Sequence, residues 1–142
     1  MKTESKIEGI LGSGGFVVTS ECGPPRGADS SVIKRKGELL RGVVDGVNVT
    51  DNQTSVVRMS SLAACVILQG MGLEPILQMV CRDRNRIAMQ SDILGAAALG
   101  ISNILCLSGD HQKFGDHPQG KNVYDLDSVQ LIGMVCRMRD EG

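Results

Sequence analysis

The sequence predicts an α/β fold in which a parallel sheet is covered by helices, and three observations predict it. Apolar runs ending on polar residues recur along the chain. They end at Glu21 after Phe16-Val17-Val18-Thr19-Ser20, at Thr50-Asp51-Asn52, at Gln78, and at Ser108-Gly109-Asp110. Those ends stand 28 to 32 residues apart, the length of one strand plus one crossover helix. The stretches between them carry apolar residues at helical spacing, as a parallel sheet requires. Polar groups then gather at one end of the sheet, where βα folds bind ligands.

Each element can be justified in order. Residues 5–11 suit a short helix, closed by Gly12-Ser13-Gly14-Gly15, so that 1–15 is a leading helix and turn. A phosphate-cradling loop needs strand, glycines and then a helix N-terminus, and these glycines precede the first strand. That strand ends on Glu21, and Pro24-Pro25 prevents it from continuing. A helix over 30–44 can be capped by Asp29 or Ser30, with Val32, Ile33, Leu39, Leu40, Val43 and Val44 recurring at helical spacing. The next, over 57–71, places Met59, Leu62, Ala63, Val66 and Ile67 on a stripe expected to face the core. A third spans 85–99 and is alanine-rich on one face. The fourth opens near Asp125 and runs to the C-terminus. Gly46, Gly72 and Gly100 each fall between a helix and a strand, where a left-handed glycine ends a helix. They introduce strands at 47–50, Pro75–Val80 and Asn103–Leu107.

Composition narrows the function. The 142 residues are 42% hydrophobic with a net charge of −1, so bulk charge attracts no polyanion. There is no Trp, one Tyr and two Phe, which removes stacking platforms for single-stranded nucleic acid. The core must be built from Val, Ile, Leu and Ala, with Met filling gaps. Five cysteines, odd in number and without a CxxC pair, read as free thiols in a reducing cytoplasm. The polar start carries no secretion signal, no apolar stretch reaches the roughly 20 residues of a bilayer span, and the triplets at Asn48 and Asn52 are not expected to be glycosylated. His111 and His117, with Asp110 and Asp116, lack the spacing of a metal site, so no metal is expected. Arg82, Arg84 and Arg86 read as a solvated loop, with contact to a pyrophosphate as the alternative. Glu21 alone is either a solvated strand-end carboxylate or a general acid. Asp110 alone is either a turn former or a ligand contact.

The choice among parallel folds rests on the strand ends. No GxGxxG follows the first strand, so a dinucleotide-binding Rossmann unit is unsupported. Polar endings at every strand suit the mouth of a β/α barrel, which needs eight units over about 250 residues. This chain supplies four.

Glu21-Cys22-Gly23-Pro24-Pro25 is where a specific resemblance begins. A glutamate just ahead of a proline pair at the end of the first strand resembles the methylenetetrahydrofolate reductase family. Val49-Thr50, Leu77-Gln78-Met79-Val80-Cys81, Leu107-Ser108-Gly109-Asp110 and Tyr124-Asp125 follow in the family's order and spacing. The resemblance runs from about Ile7 to the C-terminus, and covers the N-terminal half of a family barrel. It implies a TIM-barrel type fold with only its first four βα units present. It also implies a flavoprotein oxidoreductase that uses FAD to reduce 5,10-methylenetetrahydrofolate to 5-methyltetrahydrofolate. In that reading Glu21 is the acid that protonates the folate ring nitrogen, which calls for a dry setting. Asp110 bonds the pterin and tunes the flavin. Thr50, Asp51, Gln78, Ser108 and Gly109 contact FAD, and Tyr124 and Asp125 lie along the rest of it.

Some positions depart from the family pattern. Gln78 stands where histidine is frequent, Ser108 where arginine often precedes Gly-Asp, Cys22-Gly23 where an aromatic pair is common, and Asp51 where an aromatic follows the threonine. Either NAD(P)H or a partner electron-transfer protein then suits as donor. A half barrel leaves open edges, so self-association or a missing C-terminal half is expected, with the isolated half inactive. Two rivals stand beside this reading. One is a non-catalytic flavin- or pterin-binding partial barrel that docks on a partner subunit. The other is a pterin-using methyltransferase barrel without flavin.

Overall fold

The computed structural model describes residues 4–141. Residues 1–3 and Gly142, the ends of the expected leading segment and last helix, lie outside the described residues. Helix α1 (Lys6–Gly12) leads, and four strand–helix units follow: β1 (Thr19–Cys22) with α2 (Ser30–Leu40), β2 (Gly46–Val49) with α3 (Ser61–Gln69), β3 (Pro75–Val80) with α4 (Arg86–Ala98), and β4 (Asn103–Leu107) with α5 (Ser128–Glu141). The strands form one parallel sheet in the order β1-β2-β3-β4. Right-handed crossovers that advance one strand at a time place their helices on one face of such a sheet. No helix among the described residues is long and apolar enough to cross a membrane.

Register separates the two faces. Cys22, Val49, Leu77 and Ile104 share a row, and the first three are nearly or fully buried. That row faces the helices, packed with Ile33, Leu68, Met89 and Leu131. Each such side chain contributes about 1.5–3 kcal/mol by leaving water. The neighbouring row, Glu21, Asn48, Ile76 and Asn103, lies on the other face. One row nearer the C-terminal ends come Gln78 and Leu105, with Thr50 just past the end of β2. This second face is therefore largely polar.

Helix α1 closes the opposite end of that face. Ser5 accepts from the Glu8 N–H as N-cap and donates to Asn103 Oδ1 at 2.6 Å, while the Lys6 N–H donates to Glu74. A Cβ on Gly46 would stand 2.6 Å from Ile7 Cδ1, so the absence of a side chain there leaves room for the Ile7 methyl of α1. This corrects the expected role of Gly46, which is the first residue of β2. The left-handed residue after α2 is Gly42, with φ of 74°, while Gly72 and Gly100 do hold left-handed turns at 79° and 82°.

Two other expectations change. The fully buried face of α3 is Ser61, Ala64, Cys65 and Leu68, and of the expected stripe Met59, Leu62 and Ile67 pack against the core half-buried. Met59 precedes the helix, and Ala63 and Val66 face outward. A helix apolar all round leaves its period ambiguous. The start of the first apolar run is not strand either, and Phe16 is 87% exposed. An edge strand is as long as its partner allows, and β2 has four residues.

Candidate active site

The four polar strand ends converge. Glu21, Thr50, Asp51, Gln78, Ser108, Gly109 and Asp110 all line one concavity of about 360 Å³ at the C-terminal ends of the strands. Asn52, named only as part of a strand end, Arg82, read chiefly as a solvated loop, and Gln53, which sequence reasoning leaves out, line it too. A larger groove of about 680 Å³ between α4 and α5 is bordered chiefly by Ile93, Ala96, Ala97, Ile101, Ile104 and Val135. The smaller site has the converging polar groups expected of a ligand pocket.

Glu21 stands next to the end of β1, solvent-exposed, and its carboxylate makes no hydrogen bond or ion pair among the described residues. The backbone that follows it is held firmly. Lys36 donates to the Gly23 carbonyl at 2.6 Å, Arg58 to that of Pro24 and the Met59 N–H to that of Pro25, and Pro24 is fully buried. Thr50 is 2% exposed, and its Oγ1 is buried with no partner. A buried hydroxyl without a partner is unfavourable by roughly 1–3 kcal/mol, which marks a place where a bound polar group belongs.

Asp51 behaves differently. Its side chain is 0% exposed, accepting from the Val80 N–H at 3.1 Å and from Arg84 at 2.7 Å. Arg84 also pairs with Asp92 at 3.0 Å. The carboxylate of Asp51 is thus engaged within the protein, tying the end of β2 to β3.

Two of the three arginines depart from the solvated-loop reading, while Arg86 is exposed as that reading expects. Arg82 is buried and pairs with Asp83, and Arg84 is largely buried. Burial works against the charge of Asp83, but the hydrogen bond and charge of Arg82 outweigh it and hold the carboxyl below its usual range. The signal in the sequence is alternation: Arg82-Asp83-Arg84 directly after a buried strand, with Asp51 one unit earlier. Charges buried in that way require partners.

Asp110 follows Gly109, whose φ of 89° is open only to glycine-like backbone. A Cβ there would meet Val80 Cβ at 3.0 Å. The Asp110 carboxylate accepts from the Thr54 N–H at 3.2 Å, and its carbonyl accepts from Ser55 and Arg82. Ser108 Oγ accepts from the Ser128 N–H, anchoring α5. Tyr124 and Asp125 lie outside the concavity. The Tyr124 hydroxyl donates to the Gly109 carbonyl, while Asp125 takes two hydrogen bonds from the Arg86 guanidinium at 2.8 and 2.9 Å. Those bonds hold its carboxyl down to about 2. Nor does Tyr124-Asp125 open the last helix. Asp127 does, by accepting from the Gln130 N–H while donating its own N–H to Gln130 Oε1, a reciprocal cap.

A parallel βα sheet with polar side chains converging at its strand ends has the arrangement at which βα proteins commonly bind ligands. The chain belongs to the methylenetetrahydrofolate reductase family, which it matches over residues 6–141. Membership supports a folate one-carbon oxidoreductase. Among curated proteins, none matches the chain.

Proposed function

We propose that this chain forms the first half of a β/α barrel that reduces 5,10-methylenetetrahydrofolate to 5-methyltetrahydrofolate with FAD bound at the strand ends. The observation that carries the reading is the unpartnered Thr50 Oγ1, buried in the same concavity as Glu21, Gln78, Gly109 and Asp110. The donor set fits a flavin. Thr50 offers a hydroxyl and Gln78 an amide, and Gly109 brings main chain close to the ligand. Bound there and first reduced by the electron donor, the flavin would supply the hydride for the one-carbon unit.

The chain's own residues supply the rest. Glu21 holds the proton that opens the folate ring at its nitrogen, and its free carboxyl is available for that task. The desolvation this acid needs comes from what covers it, because one side of β1 is an open edge. Asp110 binds the pterin. Asp51 acts one step back by fixing the Thr50 end of β2, and Tyr124 acts similarly on Gly109. Open edges at β1 and β4 support the partial-barrel reading, in which the remaining strands come from further chain or from a second copy. The isolated half is then inactive, and NAD(P)H or an electron-transfer protein reduces the flavin.

The test is FAD titration of the complete protein that contains this chain, followed by flavin fluorescence. Submicromolar binding, weakened about two- to tenfold by Thr50→Val, is the expected result for one lost hydrogen bond. A protein that takes up no flavin, or whose affinity ignores Thr50→Val, overturns the assignment.

A further inference from the structure

Arg82 lines the mouth, yet only 2% of its side chain is exposed. A guanidinium has five N–H donors, and burying them unpaired is strongly unfavourable. Here all five have acceptors. Nε and Nη2 donate to Asp83 at 2.8 and 2.7 Å, and Nη2 also donates to the Asn52 carbonyl at 3.2 Å. Nη1 donates to Ser55 Oγ at 2.9 Å and to the Asp110 carbonyl at 3.0 Å. Ser55 Oγ in turn donates to that same carbonyl at 2.9 Å. One side chain therefore joins the loops that follow β2, β3 and β4.

The turn it grips is strained. Asn52, Thr54 and Ser55 have φ of 44°, 57° and 60°; asparagine tolerates such values, but threonine and serine adopt them only when their surroundings enforce them. The far wall is Gly115, where a Cβ would stand 1.8 Å from the Ser55 carbonyl oxygen. Between these walls the Thr54 N–H points at the Asp110 carboxylate. A simple Arg82–Asp83 ion pair would need neither the strain nor the shared carbonyl.

We propose that Arg82, working through Ser55, is a positioning residue that fixes the Asp110 main chain and so aims its carboxylate at the folate. The role of Asp110 rests on the reductase reading; the clamp itself does not. The first experiment is amide hydrogen exchange on the complete protein, comparing wild type with Arg82→Lys and Ser55→Ala. Lysine keeps the charge but not the fork. About tenfold faster exchange at the Thr54 and Ser55 N–H groups, which donate to the Asp110 carboxylate and the Asn52 carbonyl, with β2 and β3 unchanged, is expected. Unchanged protection, or loss spread evenly over the chain, overturns the clamp.

The second experiment is kinetic. Ser55→Ala should raise the folate KM about tenfold in the wild-type background and less than about twofold in Asp110→Asn, because residues acting as a unit are non-additive. Equal factors in both backgrounds overturn the route through Asp110. A flavin-free protein without turnover would sink the reductase reading, while the exchange pattern would still decide the clamp.

Discussion

The two ends of this sheet are built from the same strands by different rules. At the N-terminal end, chain reversals use glycine where φ is positive: Gly42, Gly72 and Gly100. Polar groups there are matched across α1, as in Ser5 with Asn103 and Lys6 with Glu74. At the C-terminal end, besides Gly109, left-handed backbone falls on the non-glycine residues Asn52, Thr54, Ser55 and Tyr124, all in the loops around Gly109 and Asp110. Charges are buried in Asp51, Arg82 and Arg84, and Thr50 Oγ1 has no partner. One end is relaxed and satisfied; the other holds strain and an unmet hydrogen bond. Strain that persists beside an unmatched polar group is what a ligand site looks like before its ligand is counted.

The largest break in that contrast comes from the buried ions. Asp51→Ala takes the buried partner from Arg84, which keeps only Asp92, and strands the Val80 N–H, and should destabilise the protein by about 3 kcal/mol in urea denaturation. A loss under about 1 kcal/mol, the range of an exposed pair, would show the pair to be solvated after all.

Glycine substitutions sharpen the contrast at smaller magnitude. Gly42 at 74° has nothing within 4 Å of where a Cβ would stand, so Gly42→Ala should lose only the left-handed preference, about 1 kcal/mol. Gly109 at 89° would also press Val80 at 3.0 Å, so Gly109→Ala should lose about 2 kcal/mol or more. Thermal melts that rank the pair in reverse would contradict the close packing of the Gly109 turn.

The smallest effect is electrostatic. The carboxyl of Asp125, bonded to the Arg86 side chain and N–H, is held down to about 2 from an ordinary 3.8. A depressed folded-state value means its contribution is full above about pH 4 and fades as pH falls through about 2. Asp125→Asn should therefore flatten the acid limb of stability in that window and leave the slope above about pH 5 unchanged. An unchanged acid limb would show the Arg86 contact to be broken in solution.

The sequence carries the architecture far better than it carries the site's interior. Strands Pro75–Val80 and Asn103–Leu107 are as expected because continuous apolar runs bounded by Gly and polar residues have one reading in a parallel sheet. The α3 face is only half legible, because a helix with apolar residues all round gives no unique stripe: Leu62 and Ile67 pack on the core, while Ala63 and Val66 are exposed. Glu21, Thr50, Gln78 and Gly109-Asp110 are legible because strand ends are fixed by pattern. Arg82 and Arg84 are not, since only the tertiary fold brings Asp51, Ser55 and the Asp110 carbonyl to them. A charge run looks solvated until its partners are known.

The most direct measurement is anaerobic addition of 5-methyltetrahydrofolate to the FAD-loaded complete protein, followed by absorbance, in wild type and Glu21→Gln. Bleaching of the flavin in wild type, slowed about 10²- to 10⁴-fold in Glu21→Gln with flavin content unchanged, is the expected result. Flavin that stays oxidised in wild type, or bleaches equally fast in both, would contradict the assignment of this mouth as a folate reductase site with Glu21 as its acid.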